Sequence, residues 1–359
     1  MVKKKLYIFI GSAFATSLIY LMVAAKPISP EFTLKTLWTL NLDDTSPRTA
    51  QSETIKEAPI PFVLGNLYGY ISPDGALIDK RSLQQNHLIS ITPKLVSVIN
   101  PIPDTITIES PASHTAILVK DASGYPFLVQ DRIFLIGKDQ DSISFISDSG
   151  TVRWNYCVSS PITALACNVG NILIGTLDGN LYLLNSEGEL IYTFQPGGSR
   201  LSIILGVALA SDSSKIALIS GIDKQRFILL GKAGQTYKVI HHQFLNTDYR
   251  RQVIIKFAQN NQYVLFEGKA NLSVFDGLKK RMYEIPIDKP IQAIEAIEKT
   301  NKVFVMAGAE NQKQLIALSL PNKKLLTSSF VSPESFIYSY ADQLILGSGS
   351  VITSFIVEK

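Results

Sequence analysis

The stretch that most constrains the fold runs from Ile162 to Pro196, ITALACNVGNILIGTLDGNLYLLNSEGELIYTFQP. Runs rich in Ile, Leu, Tyr and Thr alternate here with turn residues. Asp178-Gly179 separates two of them. The pair predicts a two-residue type I′ turn, because both central positions then need positive φ, which Gly takes without steric cost and Asp tolerates. Glu187-Gly188 closes the next hairpin. With Ile162–Ala166 in front, the stretch reads as a four-stranded antiparallel sheet. Alternate side chains of a strand point to opposite faces, so Leu181 and Leu183 face one way and Tyr182 and Leu184 the other. Both faces are apolar and both must be covered. A lone sheet cannot meet that demand, but sheets stacked as propeller blades can.

The rest of the chain reads as weaker copies. Units are visible at 60–84, 87–120, 127–158, 201–245, 252–286, 291–331 and 335–357. Together with the opening stretch they make eight units, or seven if the first two merge. The last unit has three strands, and Phe32–Leu42 is a strand with no neighbour. The expectation is an all-β propeller of four-stranded antiparallel blades over 27–359. Its ring is closed by the strand around Trp38, which supplies the outer strand of the last blade and leaves no blade open. Residues 43–59 read as a polar loop.

Lys3, Lys4 and Lys5 precede Leu6–Ala25, a run without a charge. A helix of about 20 residues covers roughly 30 Å, the thickness of a bilayer core. The run exceeds the usual signal-peptide core of about 7–15 apolar residues. Residues 1–26 therefore read as a signal anchor or transmembrane helix, the alternative being a signal peptide cut before Lys26. Both readings leave the lysines in the cytoplasm and the propeller in the periplasm. The absence of Cys near residue 25 argues against a lipid-modified N-terminus. Gly11 and Ala15 form a small-xxx-small pair that reads as ordinary helix composition.

Of 34 basic residues, four (Lys3, Lys4, Lys5, Lys26) lie in this segment, and the 30 that remain match the 30 acidic ones. The propeller is thus near neutral, which gives no support for a nucleic-acid partner. Cys157 falls on the outer strand of one unit and Cys167 on the inner strand of the next, so they read as free thiols rather than a disulfide.

The succession of inner strand, Asp-Gly turn, LYLLNSEGELIYTF hairpin and Trp-bearing strand resembles the repeat of bacterial PQQ-like and WD40-like propellers. Trp38 and Trp154 take the repeat's tryptophan position, and Tyr192 takes it in the clearest copy. Residues 126–245 also resemble uncharacterised membrane-anchored WD40-like proteins of spirochaete type. The quinoprotein dehydrogenases of that superfamily use a calcium ion, a catalytic Asp and an adjacent-cysteine disulfide. This chain has no Cys-Cys pair and no matching acidic motif, so neither a quinone cofactor nor a metal is expected. The resemblance implies a scaffold. By analogy with the propeller subunit of the outer-membrane β-barrel assembly machine, which is lipid-anchored where this chain is not, the setting is envelope biogenesis.

Other candidate sites are better read as structure. His241-His242 are strand neighbours on opposite faces, which suits one buried and one exposed ring better than a shared metal. His87 and His114 stand alone. Asp139-Gln140-Asp141 begins like a calcium loop but lacks Gly at position six and Glu at twelve. No nucleophile elbow or Walker loop occurs. Asn271-Leu272-Ser273 fits a glycosylation sequon and reads as a strand start. What remains is the loop 246–251, with Tyr249, Arg250 and Arg251, together with Arg200, Lys224 and Arg226 in other turns. Tyr and Arg on loops favour protein contacts. The sequence thus predicts a non-enzymatic, membrane-tethered scaffold for protein partners, with no cofactor. The alternative is a propeller that binds a small ligand or carbohydrate in its channel.

Overall fold

The repeated turns decide the architecture. In the computed structural model, Gly179 alone of the Asp178-Gly179 pair adopts positive φ, at 88°. Gly179 N–H donates to Thr176 O at 3.1 Å and Thr176 N–H to Asn180 O at 3.0 Å. The turn is therefore a three-residue loop, a type I turn followed by a left-handed residue, and not the expected type I′. The same pentamer recurs at 72–76, 147–151 and 185–189. Each begins with a short polar side chain whose oxygen accepts the amide of the fifth residue: Ser72 from Ala76 at 2.9 Å, Ser147 from Thr151 at 3.2 Å, Thr176 from Asn180 at 3.0 Å, Asn185 from Glu189 at 2.9 Å. That bond fixes the loop length, and the loop length fixes the strand register.

The structure describes residues 2–24, 32–44, 58–100, 105–111, 115–120 and 124–357. The expected cleavage point at Ala25/Lys26, most of the polar loop and His114 lie outside these. A helix, Val2–Ala24, belongs to a unit of its own, and Leu34–Lys359 forms a second. On the helix, side chains are described for Tyr7 and 9–22, all exposed. Among the described residues no helix is long and apolar enough to cross a membrane, so the transmembrane helix expected over 1–26 is not supported there.

Leu34–Lys359 is an eight-bladed β-propeller. Blade 4, the opening stretch, consists of Ile162–Cys167, Asn171–Thr176, Leu181–Asn185 and Leu190–Phe194 in sequential antiparallel order. Its two faces join different cores. Leu181 and Leu183 pack with Ile216, Leu218 and Ile228 of blade 5, whereas Tyr182 and Leu184 pack with Phe134 and Ile143 of blade 3. Each fully buried Leu contributes about 1.5–3 kcal/mol, and this repeats around the ring. Blade 8 takes Ser335–Tyr340, Gln343–Ser348 and Val351–Ile356 from the end of the chain and Lys35–Asn41 from its beginning, so the ring closes as expected, with Trp38 opposite Ser354.

Two tryptophans tie neighbouring blades. Trp38 Nε1 donates to Pro73 O and Trp154 Nε1 to Ser186 O, each at 2.9 Å. The indole lies on the glycine of the next blade's pentamer. A Cβ at Gly75 would come within 2.6 Å of Trp38, and one at Gly188 within 2.5 Å of Trp154. Tyr192, at the equivalent place, donates to Tyr237 O at 3.2 Å.

The blades are four-stranded as expected, and blade 1 is the shortest as described. Among the described residues it has three strands, Ile60–Leu64, Leu67–Ile71 and Leu77–Ser82. In blade 4 the tryptophan-docked turn joins the third and fourth strands. In blade 1 it joins the last two, so the position without a described counterpart is the innermost.

Alternating strand direction gives the ring two unlike faces. The entry face, where inner strands begin, carries the inter-blade linkers and the turns between second and third strands. The exit face carries the remaining turns, and its loops interlock. Lys94 pairs with Asp131 at 3.0 Å, Arg132 donates to Asn168 O, Asn168 Nδ2 donates to Ala210 O at 2.8 Å, and Gln259 Nε2 to Ile297 O at 3.2 Å.

Candidate interaction face

The linker between blades 5 and 6 follows the edge of blade 5's longest strand, Thr236–Phe244, and is pinned on both sides. Gln225, fully buried, donates through Nε2 to Tyr249 O at 2.5 Å. The Tyr249 hydroxyl donates to Gly268 O at 2.8 Å. Burial and the nearby Glu267 carboxylate push the Tyr249 phenol pKa up, partly offset by Arg251. Arg251 makes a two-pronged contact with Glu267, at 2.9 and 2.7 Å, and its guanidinium lies 4.6 Å from the Tyr249 ring centre. The Glu267 side chain is only 2 % exposed. This hydrogen bond is the largest cause of the raised Arg251 pKa. Tyr249 and Arg251 therefore shape the loop, while Arg250 is exposed and has no hydrogen bond or ion pair among the described residues. The two pinned side chains also line a cleft of about 200 Å³ with Asp288 and Lys289.

Beside this loop lies the mouth of the central channel, a cavity of about 550 Å³. Its walls come mainly from the inner strands of blades 3 to 6, including Phe127, Ala164, Val207 and Ile255, and from the linker 252–254. Extra residues at Thr163 and Leu205 break the regular pairing of the inner strands there. The displaced groups join neighbouring blades: Thr163 Oγ1 donates to Ile204 O at 2.6 Å and Val253 N–H to Leu205 O at 2.9 Å. Gln252 reaches across blade 5 and donates to Thr163 O at 2.6 Å. Most lining side chains are apolar, and Gln140, Thr163 and Gln252 add polar groups to the mouth.

The other residues singled out from sequence divide clearly. Arg200, Lys224 and Arg226 lie on the same entry face as the 246–251 loop. The Arg226 guanidinium lies 5.7 Å from the Phe244 ring, and Arg200 N–H donates to Asp223 at 3.3 Å. Asp178 accepts from Thr176, Asn180 and Ser159 at 2.5, 2.8 and 3.0 Å. Burial acts to raise the Asp178 pKa, but these bonds outweigh it and hold it below the ordinary value. Asp223 is lowered to about 2, chiefly by the Ser199 hydroxyl. His241 stacks on Phe275 at 4.3 Å while His242 is exposed. Cys157 and Cys167 are free thiols. Among the described residues no three His, Cys, Asp or Glu side chains are placed to hold a metal. Sequence reasoning missed Gln252, Thr163 and Glu267. Only Glu267 left a signal, as a lone charge inside the apolar run YVLFEG.

Comparison with known proteins agrees with this architecture. A family model described as a beta-propeller protein matches residues 1–359. The chain belongs to that β-propeller family. An uncharacterized protein of Treponema pallidum (strain Nichols) is 26% identical over 326 residues, covering 87% of this chain and 83% of the relative. This agrees with the spirochaete-type resemblance read from 126–245. Among solved structures, BamB from Moraxella catarrhalis superposes with a TM-score of 0.64 at 12% identity, over 90% of this chain and all of that one. A chain of the mitotic checkpoint complex gives 0.53 at 11% identity, over 93% of this chain and 99% of that one. At such identities the likeness is one of fold.

Proposed function

We propose that this family member is a non-enzymatic scaffold that holds protein partners on the entry face of its propeller, tethered to the cytoplasmic membrane with the ring in the periplasm. The observation that carries the reading is the convergence, on that face, of exposed cations and apolar side chains around an open mouth of mixed polarity. Such aromatic, arginine-bearing and apolar surfaces are what protein interfaces use. The likeness in fold to BamB is consistent with an envelope setting. The tether rests on the uncharged run Leu6–Ala25 behind three lysines. Crosslinking in intact envelopes followed by pull-down is expected to recover defined protein partners, with the chain in the carbonate-resistant membrane fraction. A clean pull-down from a chain that folds and localises normally would sink the scaffold reading, and release by carbonate would sink the tether.

One observation favours a second reading. The channel mouth, at about 550 Å³, has the size of a small-molecule pocket. A thermal-shift screen against sugars, metals and quinones tests it, and no shift would rule it out.

A further inference from the structure

We infer that the docking surface is the sector of the entry face formed by blades 4 to 6, and that it takes an acidic protein segment carrying a bulky apolar side chain. This rests on the scaffold reading and adds to it the place and the chemistry of the partner.

Charge is the first argument. Arg200 comes from the linker between blades 4 and 5, Lys224 and Arg226 from a turn of blade 5 and the strand after it, and Arg250 from the next linker. None of the four has an ion-pair partner among the described residues. The carboxylates beside them have partners of their own: Asp178 three donors, Asp223 the Ser199 hydroxyl and the Arg200 amide, and Asp248 the Lys269 ammonium at 3.9 Å. The donors to Asp178 and Asp223 are neutral and leave those carboxylates charged, but the four cations without an ion-pair partner outnumber the carboxylates. Carboxylates brought by a partner would pair with these cations.

Apolar surface is the second. Leu177, Leu201 and Phe244 are 45, 59 and 53% exposed. They are held by backbone bonds on either side: Leu177 N–H to Pro161 O at 2.9 Å, Ile222 N–H to Leu201 O at 3.2 Å, Leu245 N–H to Gln225 O at 2.8 Å. Fixed apolar groups lose little freedom on binding. Pro161 leads directly into Ile162, which lines the channel mouth, so a side chain entering the mouth lies beside this rim. The exit face contrasts with it. Its loops are bonded to each other, and among the described residues its exposed apolar side chains Val152, Val169, Leu190 and Leu278 are spread over blades 3, 4 and 6.

The test is site-specific photocrosslinking of the full-length chain in its native envelope, with the photoreactive residue at Leu201 or Phe244 on the entry face and at Val169 or Leu278 on the exit face. The expected result is a protein adduct from the first pair only. It should map to an acidic stretch of the partner and fall at least about tenfold in the Arg200→Glu/Lys224→Glu/Arg250→Glu variant. All three residues are exposed, so the variant should keep the parental melting temperature. Adducts from Val169 or Leu278 alone would overturn the surface and the choice of the entry face, and leave only a protein-binding scaffold standing. A nucleic-acid adduct, or a protein adduct indifferent to the charge reversals, would also overturn it. No adduct from any position would remove both readings. In vitro, a fluorescent Glu-rich peptide with a central Phe-Leu pair should bind the purified chain saturably, and its counterpart with Lys for Glu should not. Equal binding of the two, or no binding of either, would refute the proposal.

Discussion

Trp154 shows how single residues hold the ring. Its indole N–H reaches a carbonyl of the next blade, and its ring covers a glycine whose missing side chain makes the room. Gly188→Ala combines a left-handed residue with a clash against that ring, and should cost about 2–3 kcal/mol in chemical denaturation. Gly170 has no atom within 4 Å of a notional Cβ and no positive φ, so Gly170→Ala should be close to neutral. Cys167 gives a second test. Burial pushes its thiol pKa up to about 12 from 9.0, with Arg132 opposing. Above pH 9 the unfolded chain releases this proton and the folded chain keeps it, so stability falls as pH rises towards 12. Replacing Cys167 with Ala should flatten that slope in urea melts run from pH 8 to 11. At pH 8 a thiol reagent should label exposed Cys157 fast in the native protein and half-buried Cys167 much more slowly than after unfolding.

Among the elements, the outer strands manage a hazard. Each is the free edge of its sheet and exposes unpaired backbone groups to any other strand. Six carry one extra residue, at Leu37, Ile78, Arg153, Ile191, Ile240 and Leu325, which breaks the regular edge. Deleting Ile191 should leave a folded chain with a flatter edge that self-associates more readily, seen as a higher-mass species by light scattering. The bulges were not legible beforehand, because an extra Ile in LIYTF looks like any strand residue. Blade 4 was legible for the opposite reason: its pentamers repeat and its two apolar faces demand neighbours. The turn type was misread because Asp-Gly suits two loops, and the choice falls to the hydroxyl of Thr176, two residues earlier. Topology places linkers and alternate turns on one side, so the convergence of Arg200, Lys224, Arg226 and the 246–251 loop follows from the strand order alone. The contact between Gln252 and Thr163 does not, since it joins groups far apart in the chain and depends on the curvature of three blades.

For the whole molecule, the decisive join is between Lys35–Asn41 and Val351–Ile356. Thr39 lies opposite Thr353 with hydroxyls 3.5 Å apart. Cysteines at both positions should form a disulfide across the seam and, by closing nearly the whole chain into one loop, stabilise it by up to about 5 kcal/mol. The gain would be read as a higher melting temperature that reductant abolishes. The seam also sets a clock. A ribosome delivers the closing strand before the blades and its partner after them, so the early strand must wait unpaired until the rest of the ring has been made. Seven blades can assemble as they emerge, but the circle cannot. A stalled or clipped product lacking Val351–Ile356 would leave the early strand unpaired, which makes the closed ring a built-in sign that every blade has been made.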